Sequence, residues 1–164
     1  MNSDTMQKAI HVTAGQDRFE DNRMMIWGLL PLSSKLSSKD TGGGLFIFEH
    51  NNQGKGGPPR HVHFEQDEWS YVIKGEYAFE IGAEEFRLRA GDTLFAPRNV
   101  PHGWACISDE PSTLLTLVSP VGTFEEFLLE TTRHPELPSE EEIAKTFAAH
   151  NMKIVGPPLE VNNP

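Results

Sequence analysis

Cysteine is nearly missing from this chain: Cys106 is the only one in 164 residues. No intrachain disulfide is possible, which excludes the stapled scaffolds of small secreted proteins. Basic residues are also scarce, with 14 Lys and Arg against 24 Asp and Glu and a formal charge of −10. That balance excludes nucleic acid and anionic membrane surfaces as expected partners, since both call for a basic face. Long apolar runs are absent too. The longest, Ile26 to Leu32, is interrupted by Gly28 and Pro31 and falls far short of the roughly 20 residues that span a bilayer. The opening MNSDTMQKAI has no apolar stretch of the kind a signal peptide needs. The expected setting is a reduced cytoplasm, and the length suits one domain over residues 1–164.

What is present is a globular composition, 37% hydrophobic and 23% charged, with 14 Gly and 12 Pro to punctuate many short strands. The spacing predicts a strand from Met24 to Leu32, a polar loop over Ser33–Gly44, a strand over Leu45–Glu49 and a second loop over Asn51–Pro59. A short strand is expected at His11–Val12. Tyr77, Phe79 and Ile81 alternate with Ala78 and Glu80, and Phe86 and Leu88 alternate with Arg87 and Arg89. Both segments have the period-2 signature of a strand with one buried face, and Gly82-Ala83 between them suits a tight hairpin. Asp92–Ala96 and the apolar run Thr113–Val118 complete a regular series of short strands, so the fold class is all-β, a sandwich or barrel. After Pro120 the period becomes helical. Phe124, Phe127 and Leu128 predict one short helix, and the capping box of Ser139 and Glu142 predicts another running to Ala149. These helices read as a lid or a dimer element, followed by an extended tail from Gly156.

Chemistry concentrates in three histidines and a glutamate. His61 and His63 stand at i, i+2, so on a strand both rings project to one face. Glu68 follows at the start of the next strand, and His102 comes after the Asp92–Ala96 strand. Three imidazoles and a carboxylate converging inside a small barrel form a plausible donor set for a divalent transition metal. Glu65 shares strand parity with His63 and competes with Glu68 for the carboxylate role. His11, His50, His134 and His150 lie in polar surroundings or near helix ends and read as surface residues. Cys106 reads as a semi-buried thiol. Trp104 shares parity with His102 and reads as a wall of the substrate pocket, while Phe46, Phe48, Phe79 and Phe95 read as barrel filling. Trp69 and Tyr71 alternate away from Glu68, and this outward aromatic pair is the expected homodimer surface.

The segment GGPPRHVHFEQDEWSYVIKGE resembles the first motif of the cupin superfamily, with His61, His63, Glu68 and Gly75 at the motif positions. GDTLFAPRNVPH resembles the second, through Gly91, Pro97 and His102. It departs from the pattern at Asn99, where Gly is usual, and at Cys106, where Asn is common. Asn tolerates left-handed backbone, so the first departure is compatible with the turn. The resemblance covers about residues 45–120, with a helical extension over about 121–150, and is nearest to small quercetin-dioxygenase-like cupins. It implies a double-stranded β-helix, or jelly-roll barrel, with short C-terminal helices. It also implies a metal (Fe, Mn, Ni, Cu or Zn) held by His61, His63, Glu68 and His102, with Glu68 able to take a proton. Family spacing favours Glu68 over Glu65. The implied activity is dioxygenase-like, on a small oxygen-rich or aromatic substrate that chelates the metal. The alternatives are a metal-dependent sugar isomerase, epimerase or lyase, and a non-catalytic small-molecule binder.

Overall fold

The computed structural model describes residues 8–19 and 24–161. Its elements are β1 (Met24–Ile26), β2 (Leu30–Leu36), a 3₁₀ turn (Ser38–Asp40), β3 (Phe46–Gln53), β4 (Pro59–His63), β5 (Asp67–Lys74), β6 (Glu76–Ile81), β7 (Glu84–Arg89), β8 (Thr93–Ala96), β9 (His102–Cys106), β10 (Ser112–Ser119), α1 (Phe124–Thr131), α2 (Glu140–Ala149) and β11 (Met152–Pro158). One sheet runs β1-β2-β3-β10-β5-β8 and the other β11-β4-β9-β6-β7, and every pairing is antiparallel. The fold is all-β, the jelly-roll of a double-stranded β-helix, with two short helices between β10 and β11.

Alternation decides which face of each strand is inside. On β3, Phe46, Phe48 and His50 are buried, as are Leu114, Thr116 and Val118 on β10 and Glu68, Ser70 and Val72 on β5. Buried apolar residues fall into two clusters. One gathers Trp27, Phe46, Phe48, Phe124, Phe127 and Phe147, where the helices meet the barrel. The other gathers Val72, Tyr77, Phe79, Trp104 and Leu114 towards the opposite end. α1 is held down by Glu125, 5% exposed, which accepts from the Ser37 hydroxyl and the Ser38 amide at 2.8 Å each. α2 starts with the capping box of Ser139 and Glu142.

Several expectations need correction. The strand expected over Met24–Leu32 is two strands, because Trp27 and Gly28 take positive φ values of 46° and 69° and turn the chain. Gly28 is required there: a Cβ would lie 2.1 Å from the Pro135 carbonyl oxygen. The Ser33–Gly44 loop begins as strand, with Ser34 and Ser37 fully buried, and β3 extends to Gln53 inside the expected Asn51–Pro59 loop. His11–Val12 forms no strand. The hairpin at Gly82-Ala83 is present, with Ile81 paired to Glu84.

Candidate metal centre

Two sheets contribute to the centre. β4 carries His61 and His63 on its inward face, and its antiparallel pairing with β9 sets His61 directly opposite His102. The chain then crosses to the other sheet, where β5 turns Glu68 inward. All four side chains are buried, and one donor atom from each lies within 4.8 Å of the others. Nε2 of His61 and of His63 are 3.2 Å apart, and Glu68 Oε2 is 3.6 Å from His63 Nε2 and 3.8 Å from His102 Nε2. Donors about 2.1 Å from a common ion are separated by about 3.0–3.4 Å along the edges of an octahedron or tetrahedron. The His61–His63 spacing falls in that range, and the two Glu68 spacings of 3.6 and 3.8 Å lie slightly beyond it. Glu65 is exposed and outside the cluster, so the carboxylate is Glu68.

The ring nitrogens that point away from the centre explain why the inner ones fit a cation. His61 Nδ1 is 2.7 Å from the Pro59 carbonyl, His102 Nδ1 is 3.2 Å from the Val100 carbonyl and His63 Nδ1 is 3.4 Å from Gln66 Oε1. Each partner is an acceptor, so each Nδ1 carries a proton and each ring, when neutral, presents a lone pair on Nε2. Two lone pairs facing at 3.2 Å repel unless a cation lies between them. His102 Nε2 is buried and has no hydrogen-bond partner among the described residues. The donor set fits a divalent transition metal.

Charge within the cluster is already partitioned. Burial, then the neighbouring His102 and His63, push His61 well below the ordinary imidazole range, and burial brings His63 to about 4 against the pull of Glu68. Burial works against ionised Glu68, yet the facing His102, with smaller contributions from His63 and His61, draws it down to about 2. Burial likewise disfavours charged His102, but the Glu68 carboxylate outweighs it and holds this one imidazole above its usual value. At 3.8 Å the two face each other across a gap too wide for a hydrogen bond.

Beside the centre lies a cavity of about 60 Å³. His61 and Glu68 form one side, and Trp104, Phe48, Phe124 and Phe147 form much of the apolar wall. Phe124 and Phe147 come from the two helices and also pack edge-on against His63 and His61, with ring centroids 5.0 and 5.5 Å apart. The helices are therefore part of the site. Trp104, 4% exposed, lies on the cavity. Two residues escaped sequence reasoning. Gln66, 1% exposed, supports His63 while its amide donates to the Val121 carbonyl at 3.2 Å. His50, expected at the surface, is 3% exposed and lines the cavity; its inward parity with Phe46 and Phe48 was the available signal.

Other expectations are also revised. Phe95 does not fill the barrel but is 54% exposed, opposite Trp69 on the outer face of the sheet. Cys106 is completely buried rather than semi-buried. His150 is half-buried, with Nε2 3.0 Å from Glu130. His11 and His134 are exposed. Trp69 and Tyr71 stack with centroids 6.1 Å apart on the outer face.

Comparison with known proteins agrees with the geometry. The family model of the cupin domain matches residues 48–118. A solved structure of an RmlC-like cupin from Shewanella frigidimarina is 25% identical, covering 70% of this chain and 95% of that one, with a TM-score of 0.53. KdgF from Halomonas sp. is 24% identical, covering 56% of this chain and 78% of its own, with a TM-score of 0.46. The nucleoside dehydratase Pac13 of Streptomyces is 15% identical, covering 60% of this chain and 74% of its own, with a TM-score of 0.48. No curated protein matches the chain. No helix among the described residues is long and apolar enough to cross a membrane.

Proposed function

The chain is a cupin through residues 48–118, and from that premise we propose that it is a metal-dependent, dioxygenase-like enzyme acting on a small oxygen-bearing substrate. One observation carries the reading: three imidazole lone pairs and one carboxylate turn inward together beside an aromatic cavity. His61, His63, Glu68 and His102 would hold Fe, Mn, Ni, Cu or Zn, which supplies Lewis acidity towards a substrate oxygen and, when redox-active, access to O₂.

The chain's own residues account for the rest. Pro59, Val100 and Gln66 fix the three ring tautomers and so keep every Nε2 available. Glu68, buried and ionised, is the one carboxylate placed to accept a proton from a substrate hydroxyl, and it is the catalytic residue of the proposal. Trp104 and the phenylalanines of α1 and α2 orient the substrate and exclude water. The predominantly apolar wall favours this reading over a sugar isomerase, epimerase or lyase, because a polyol brings several hydroxyls and each needs a partner once buried. A buried free thiol, Cys106, suits a reduced cytoplasm.

The test is elemental analysis of protein purified without a chelating column, followed by oxygen uptake on reconstitution with each metal. We expect His61→Ala and His63→Ala to fold and to lose most bound metal. Unchanged metal content in both variants refutes the centre. Turnover without oxygen transfers the assignment to non-oxidative chemistry, and tight binding without turnover transfers it to a binding module.

A further inference from the structure

Two polar groups on the cavity wall have no role in holding a metal. His50 on β3 and Thr116 on β10 both face inward and both line the cavity beside His61 and Glu68. In the β3–β10 register Leu114 pairs with His50 and Thr116 with Phe48, so His50 and Thr116 are diagonal neighbours. Such positions lie about 7–8 Å apart, close enough for two side chains to bracket one atom.

Their hydrogen-bonding states are set by the fold. His50 Nδ1 is 2.8 Å from the Pro31 carbonyl, which only accepts, so Nδ1 bears the proton and Nε2 a lone pair. Among the described residues Nε2 makes no hydrogen bond. The ring is wedged between Phe48 and Trp104, at centroid distances of 5.4 and 5.1 Å, and burial lowers its pKa to about 4, so it stays neutral. Thr116 Oγ1 is buried with no hydrogen-bond partner among the described residues. An open acceptor and an unpaired hydroxyl on one cavity wall call for a partner, which water can supply at rest and a ligand can replace. A ligand hydroxyl does both tasks, donating to His50 Nε2 and accepting from Thr116. A carbonyl accepts from Thr116 but leaves His50 Nε2 unpaired, and an ammonium reaches His50 but can accept nothing from the Thr116 O–H.

Size adds a second constraint. One water needs about 10–15 Å³ of such space, so about 60 Å³ admits about four or five heavy atoms. We propose that His50 and Thr116 recognise one substrate hydroxyl, and that the part of the substrate entering the cavity is a compact alcohol or enol with an apolar body. The proposal rests on the reading of the metal centre above, since it places the substrate beside Glu68.

The test uses the full chain, zinc-reconstituted and labelled with ¹⁵N-histidine, titrated with 2-propanol and with acetone. These probes have the same four heavy atoms, and only the alcohol carries an O–H. Saturable movement of the His50 Nε2 resonance by 2-propanol is expected, with binding at least tenfold tighter than that of acetone. His50→Phe and Thr116→Val should each reduce that preference below threefold. Either variant suffices if the other fails to fold. Equal binding of the two probes, discrimination that survives in a folded variant or a proton found on Nε2 would each overturn the proposal. Metal content measured on the same samples separates the two readings. Loaded protein without discrimination refutes the hydroxyl site alone, whereas discrimination in protein that takes up no metal refutes the metal centre.

Discussion

Gln66 offers the sharpest probe of the centre, because it touches no ion yet should govern one. Its Oε1 accepts from His63 Nδ1 at 3.4 Å, and its amide donates to the Val121 carbonyl at 3.2 Å. Gly122, at φ 53°, makes room for it: a Cβ there would lie 2.7 Å from Gln66 Nε2. Replacing Gln66 by Leu keeps the volume and removes both bonds. His63 then loses the group that fixes its tautomer, a change that typically costs 10–100-fold in metal affinity, or about 1.4–2.7 kcal/mol. The 3.4 Å contact is long, so the lower end is expected. The metal-free fold should weaken as well, by about 1–3 kcal/mol for each buried group left unpaired. Competition with a chelating dye at fixed pH measures the first effect, and urea unfolding of metal-free protein the second. Affinity within twofold of the parent, in a variant that folds, would show that His63 needs no such support and would refute the tautomer argument.

Other outcomes follow from the same geometry. Because Glu68 holds His102 above its usual pKa, the metal-free centre keeps its proton to higher pH than a free imidazole does. Loading should therefore release protons, more of them per ion as pH falls, and affinity should drop with pH; indicator-dye titration in weak buffer at pH 6 and 8 checks this, and no release at pH 6 refutes it. In metal-free protein the His102–Glu68 pair should stabilise fully below about pH 6.5 and lose that contribution as pH rises through the elevated His102 value, read by unfolding across pH. Phe147→Ala removes a 3%-exposed ring that packs on Trp27, Phe127 and His61, so a loss of about 3–5 kcal/mol is expected in chemical denaturation. Asp67, drawn to about 2 by Arg98, should lend stability above its unfolded pKa near 3.8 and lose it towards pH 2. The pair is partly exposed, so Arg98→Ala should cost only about 0.2–1 kcal/mol at pH 7 and much less at pH 2.

The residues of the centre could be read from the sequence because strand parity is a local rule. Two histidines at i, i+2 on one strand must share a face, and motif spacing pointed to Glu68 and His102. Asn99, where the pattern departs from Gly, sits at φ 66° and gives the turn the left-handed residue it needs. The capping box at Ser139 also depends on spacing alone. What stayed hidden depends on distant partners. Ser34 and Ser37 look like loop residues until Asp17 bonds the Ser34 amide and Glu125 the Ser37 hydroxyl across 88 positions. His50 was misplaced because its polar neighbours Asn51 and Asn52 outweighed its parity with two phenylalanines. Phe95 was misplaced for the opposite reason: its apolar character suggested burial, while the β5–β8 register turns it outward opposite Trp69.

The centre and the cavity wall come from different parts of the chain. His61, His63, Glu68, His102, His50, Trp104 and Thr116 all lie within residues 48–118, the span of the cupin domain. Ile26, Trp27 and Leu30 before that span, and Phe124, Phe127 and Phe147 after it, close the cavity from outside. Residues that hold an ion and residues that limit substrate size are therefore separable by substitution. Trp27→Ala should enlarge the cavity without moving a metal donor, since Trp27 packs on Phe127 and Phe147 at centroid distances of 6.3 and 6.2 Å and on none of the four donors. Opening that wall should admit larger alcohols while metal content stays at the parental level, at a stability cost of about 3–5 kcal/mol. A folded variant that lost its metal, or that kept the parental size limit, would show that the flanks shape the centre itself and not merely the space beside it.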